Sequence, residues 1–154
     1  RFKRISNEDF GKLQENCTKM IEKTVDGKIE NHATPIFVFK ADQLHYFESN
    51  SQPFDPSVDG DHEAMNKALN NILYKTMAQQ IPHAEIDSAT TAETIDKRVF
   101  KRFSIAVTLP NKVVMHMLMY NKLFDKKELT ISIVYVDPVK GNKLLTAWRN
   151  SKFE

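Results

Sequence analysis

Between Val99 and Tyr135 lie three apolar-rich stretches separated by two short turns, and they constrain the fold more than any other part of the chain. Val99, Phe103, Ile105, Val107 and Leu109 alternate with polar or small residues. Pro110-Asn111-Lys112 reads as a turn. Val113–Phe124 follows as one long stretch, apolar at both parities over Val113–Tyr120 except for His116. After a second turn, Asp125-Lys126-Lys127, the residues Leu129, Ile131, Ile133 and Tyr135 alternate with Glu128, Thr130, Ser132 and Val134. A period of two sends successive side chains to opposite faces of a strand. Strands joined by turns this short must run antiparallel, because a parallel pair needs a crossover of about a dozen residues or more. The last third is therefore predicted to be an antiparallel meander.

Helical patterns flank it. Ser6 suits an N-cap, with Glu8 and Asp9 in the first turn, and Phe10, Leu13, Cys17, Met20 and Ile21 recur at helical spacing until Asp26-Gly27. Asp61 caps a second helix with Glu63 in its first turn. Its expected buried stripe is Ala64, Ala68, Leu69, Ile72, Leu73 and Met77, and Pro82 stops it at about Gln80. Asp137-Pro138 opens a third, with Leu144, Leu145 and Trp148 facing inward and Gly141 weakening its start. Pro35 precedes Ile36–Phe39, and with Leu44–Phe47 this reads as two short strands or one bent strand. Residues 49–60 read as a loop, and 83–96 as an extended stretch around Ala84–Asp87 followed by another loop. The expected fold is α+β: an antiparallel sheet with a C-terminal meander and helices packed on it, in an α/β/α sandwich-like arrangement. At 154 residues the chain suits a single domain, 1–154.

Several function classes lose support. No apolar run approaches the roughly 18 residues of a membrane span. One cysteine, Cys17, allows neither an internal disulfide nor a Cys-based zinc site, and on an apolar helix face it would be inert. Neither a nucleophile elbow nor a glycine-rich phosphate loop is present. The segment from Asp55 through Ser57, Asp59 and Gly60 has the opening spacing of a calcium loop. Asn66 stands where the closing Glu belongs and His62 where an apolar residue belongs, so a turn before a capped helix is the better reading. His32, His45, His62, His83 and His116 show no zinc-protease spacing. No catalytic residue, metal or cofactor is predicted. His116 interrupts an apolar strand on the face of Val114, Leu118 and Tyr120. With Tyr120, Tyr135 and His62 it makes a candidate lining for a small-ligand pocket between sheet and helices.

Charge is divided along the chain. Residues 1–96 carry 10 Lys+Arg and 16 Asp+Glu, and residues 97–154 carry 12 and 4. Halves of opposite sign are expected to attract each other within one fold. Lys97, Arg98, Lys101 and Arg102 form the densest basic cluster. On a strand these charges divide between two faces, which makes a poor phosphate groove, so nucleic acid is not expected and an unknown protein partner is the better candidate.

The basic strand, the strand pair after it, and the terminal helix closing with Trp148-Arg149-Asn150-Ser151-Lys152-Phe153 resemble the C-terminal half of PsbP-type α/β/α domains. The chain also resembles small exported lipoproteins of Bacteroidetes-type bacteria. That resemblance implies a non-enzymatic extracytoplasmic accessory domain, in the periplasm or at the cell surface. The start at Arg1 fits a fragment whose leader was removed or whose start was trimmed, with a lipid anchor upstream as one form of leader. The leading expectation is an exported protein-interaction domain at the bacterial envelope. The alternatives are a small-ligand-binding protein or small enzyme, and an immunity or inhibitor protein.

Overall fold

A computed structural model describes residues 1–26, 28 and 32–154, with positions 7, 10, 13, 14, 17, 24 and 25 described by backbone only. The helices are α1 (Asn7–Val25), α2 (Pro56–Asp59), α3 (His62–Gln80) and α4 (Pro138–Arg149). The strands are β1 (Lys3–Arg4), β2 (Thr34–Asp42), β3 (His45–Pro53), β4 (Glu85–Ile95), β5 (Arg98–Thr108), β6 (Val114–Phe124) and β7 (Lys127–Tyr135). All seven strands join one antiparallel sheet in the order β1-β2-β3-β7-β6-β5-β4. The fold is α+β, and its C-terminal meander is extended on one side by β4. Among the described residues no helix is long and apolar enough to cross a membrane.

The sheet is covered on both faces. Trp148 of α4 is 1% exposed and meets Phe47, Phe100 and Tyr120 on one face. Met77 of α3 packs with Phe103, Ile105 and Val107 on the other. Strand β6 serves both layers, sending Leu118 and Tyr120 toward α4 and Met115, Met117 and Met119 toward α3. A strand buried on both faces loses its polar alternation, which is why Val113–Tyr120 is apolar at both parities. Helix α1 lies beside α3 and against β2. Ser6 caps it by accepting from the Asp9 amide, and Asp26 ends it in the left-handed region at φ 51°. The inward roles expected of Phe10, Leu13 and Cys17, and the part of Gly27 in the turn, lie outside the described residues.

Helix α4 docks through two close fits. Asp137 caps it, its Oδ1 accepting from the Val139 amide at 2.8 Å. A Cβ on Gly141 would lie 2.4–2.6 Å from the Tyr135 ring, so the glycine that lowers helix propensity is what lets α4 approach β7. Buried His45 completes the joint: its Nε2 accepts from the Asp137 amide at 3.0 Å, and its Nδ1–H donates to Asp42 at 2.7 Å. That hydrogen bond, the Leu44 amide and Lys140 hold the Asp42 carboxyl well below the usual range.

Three expectations need correction. Residues 85–95 are a full strand rather than a short extended stretch and a loop. Its centre, Asp87–Ala92, is exposed at every position because β4 is a sheet edge, so no apolar alternation marks it. Asp96 and Lys97, at φ 45° and 64°, make the two-residue turn into β5. Most of the predicted loop 49–60 is likewise ordered: β3 runs on to Pro53 by pairing its polar residues with β7, and Pro56–Asp59 is a helical turn. In α3, Ala64, Ala68 and Leu69 face solvent, while His62, Met65, Asn66 and Asn70 turn inward. The first half of this helix therefore covers a polar part of the sheet.

The divided charge is used inside the fold. Asp42 pairs with Lys140, Glu63 with Lys101, Glu93 with Arg102 and Arg149, and Asp96 with Arg98 and Lys152. Each pair joins an acid of the first 96 residues to a base of the last 58.

Candidate functional site

The polar half of α3 begins at Asp61, whose carboxylate accepts from the Ala64 amide at 2.7 Å. This cap sets His62 at the start of the helix, edge-on to the buried Phe54 ring. From there His62 Nε2 meets Glu128 Oε2 of β7 in a hydrogen bond. Glu128 is 3% exposed, and a buried carboxylate needs donors to offset its lost hydration. It has them: Gln52 donates to Oε1 at 2.9 Å, and Asn66 donates to Oε2 at 3.3 Å. Asn66 also donates to the His62 carbonyl at 2.9 Å, which ties the first turn of α3 to the same network.

Beside this network a cleft of about 610 Å³ opens between α3 and strands β4–β6. Its helix wall carries Glu63, Asn66, Asn70 and Asn71. Ser88, Thr90, Lys101 and Asn121 form the sheet wall, and Ala89 with Phe103, 6% exposed, supplies its apolar part. Lys101 reaches across to Glu63 at 3.4 Å, and both side chains are more than half exposed, so this pair spans the mouth. Asn121 is 8% exposed, and its Oδ1 is buried with no hydrogen-bond partner among the described residues. Leaving such an acceptor unsatisfied costs about 1–3 kcal/mol, and most buried polar groups avoid it. The cleft therefore holds convergent polar groups, and behind its wall lies one buried acceptor in need of a donor.

The residues predicted from sequence fall in different places. His116 and Tyr135 stack at 4.8 Å between centroids, on the α4 face. Burial lowers the pKa of His116. Tyr120 is on that face too, but it is fully buried under Trp148 and donates to Glu93 Oε2 at 2.8 Å. Burial and the Glu93 carboxylate push its hydroxyl pKa up. His62 is on the opposite face, so the four do not line one pocket; only His62 borders the cleft. The reason is parity: residues 116 and 120 share one side of β6, and α3 covers the other.

The basic cluster also divides. Lys97 sits exposed in the β4–β5 turn. Arg98 pairs with Asp96 and lies over the Phe153 ring. Lys101 enters the cleft mouth. Arg102 crosses to the α4 face, over Tyr120 and 3.6 Å from Glu93. Burial works against ionisation of Glu93, but the hydrogen bonds from Arg149 and Tyr120 outweigh it and lower its pKa. The carboxylates of the calcium-like segment are engaged locally: Asp55 accepts from Ser57, and Asp59 from the Asp55 amide.

Asn66, Asn70, Asn121 and Glu128 are not marked by the sequence as site residues, and Lys101 is marked only as part of the basic cluster. A weak signal is the recurrence of asparagine at 66 and 70, one helical turn apart, with a third at 71. The chain matches no protein-family model, and no curated protein is similar to it.

Proposed function

We propose that this protein binds a small polar ligand in the cleft between α3 and strands β4–β6. The observation that carries this reading is a polar cleft of about 610 Å³ with Asn121 in its wall, whose buried Oδ1 has no hydrogen-bond partner among the described residues. That volume lies in the range of about 300–1,000 Å³ common for small-molecule sites. Binding rather than catalysis is the assigned role. The His62–Glu128 pair is satisfied within the protein and joins α3 to β7, which is a structural task.

The PsbP-type resemblance adds the expectation of a non-enzymatic accessory domain outside the cytoplasm, and the proposal keeps that role. A protein-binding surface at Lys97, Arg98, Lys101 and Arg102 has weaker support, because three of the four are engaged in contacts within the chain.

The test is retention. The protein is incubated with the small-molecule fraction of an extract of its source cells, freed of unbound material and analysed by mass spectrometry after denaturation. Thr90→Trp places a bulky ring in the cleft from an exposed edge position, with no cost to the core. A compound held by the wild type and absent from the variant supports the proposal. Equal retention, or none by either, removes it.

A further inference from the structure

The walls of the cleft also select a ligand class, an inference that rests on the binding role proposed above. Charge comes first. Lys101 at the mouth is already paired with Glu63. Lys67 and Asp61, also at the cleft, add one charge of each sign, and Arg102, a further lining residue, turns its guanidinium away to Tyr120 and Glu93. An anion would have to displace Glu63 from Lys101, and a cation would have to enter beside two lysines. An uncharged ligand meets neither obstacle.

Hydrogen-bond character comes second. Asn70, Asn71, Asn121, Ser88 and Thr90 each carry both donor and acceptor capacity. Hydroxyl groups have the same double character, so a ligand rich in hydroxyls satisfies such walls in several ways. The terminal torsion of asparagine is soft, so Asn121 can present either amide atom to the cleft. Rotated toward the cleft, Oδ1 would accept from a ligand hydroxyl, a bond it lacks where it is buried. Ala89 and the exposed margin of Phe103 supply the apolar part of the lining.

We infer that the cleft binds a neutral polyhydroxylated molecule, of the size of a mono- or disaccharide or a cyclic polyol. The experiment is a titration followed by amide NMR, with glucose, maltose, cellobiose, N-acetylglucosamine and myo-inositol as probes. Inorganic phosphate, citrate and spermidine form the charged arms. The expected result is a saturable shift of the Asn70 and Asn121 side-chain amides and the Thr90 backbone amide with at least one neutral probe. Asn121→Ala should weaken that binding about tenfold, and Thr90→Trp should abolish it. Should Asn121→Ala fold poorly, Ser88→Ala, at the exposed edge, serves in its place with a smaller loss. Shifts at these groups with only a charged probe overturn the ligand class and leave the binding role standing. No shift with any probe also overturns the class, and the extract retention experiment then decides the binding role separately.

Discussion

Glu48 extends from β3 toward the α3-bearing face, opposite Ser132 of β7. Burial raises its pKa to about 7 from an ordinary 4.5, while a hydrogen bond with Ser132 opposes the rise. The folded state therefore holds this proton more tightly than the unfolded chain does. By linkage, stability must fall as pH rises from about 4.5 to about 7, and the loss is complete above that window. Each unit of difference corresponds to about 1.4 kcal/mol, so the full span gives about 3 kcal/mol for a carboxyl shut off from water. Glu48 keeps some exposure, which reduces the expected loss to about 2–3 kcal/mol. Glu48→Gln keeps the shape and removes the charge. Urea unfolding of both proteins from pH 4 to 8 should give equal stabilities near pH 4 and a more stable variant at pH 8. Asp42, Glu93 and Asp96 have lowered pKa values and act with the opposite sign, losing stability as pH falls, but both proteins carry them, so the difference between the two isolates Glu48. Parallel curves across the whole range would refute the assignment of a buried, destabilising carboxylate.

Other substitutions test the packing. Gly141→Ala drives a methyl group into the Tyr135 ring and should cost about 1–3 kcal/mol, seen as a lower Tm; an unchanged Tm would mean that α4 does not sit this close to β7. Tyr120→Phe removes the hydroxyl that donates to Glu93 and should cost about 1–2 kcal/mol in urea unfolding, with no loss if that bond is absent. Lys97→Gly relieves a left-handed residue in the β4–β5 turn. It should leave stability unchanged or raise it by up to about 1 kcal/mol, and a clear loss would argue against the turn geometry.

The legible parts of the sequence are those where one physical signal acts alone. Alternation at Leu129, Ile131, Ile133 and Tyr135 has one cause, a strand with one face on the α4 core, and it was readable. The caps Ser6, Asp61 and Asp137 depend on local hydrogen bonds and also fell where expected. Strand β4 was missed because Ser88-Ala89-Thr90-Thr91-Ala92 buries nothing, and only its threonines hint at a strand. In α3 the apolar residues misled, because Leu69 faces solvent while Asn66 and Asn70 cover a polar sheet surface. That surface combines Lys101, Asn121 and Glu128 from three different strands. A cleft made by tertiary pairing leaves little trace in local periodicity, so the site emerged only with the sheet order.

The central claim concerns place: a ligand enters between α3 and strands β4–β6. Hydrogen exchange with and without the small-molecule fraction of a source-cell extract measures this most directly. The account predicts slowed exchange at residues 66–71, 88–90 and 121, with no such protection in Thr90→Trp. Protection centred elsewhere, such as on His116 and Tyr135 of the α4 face, would contradict it, and so would exchange that the extract leaves unchanged.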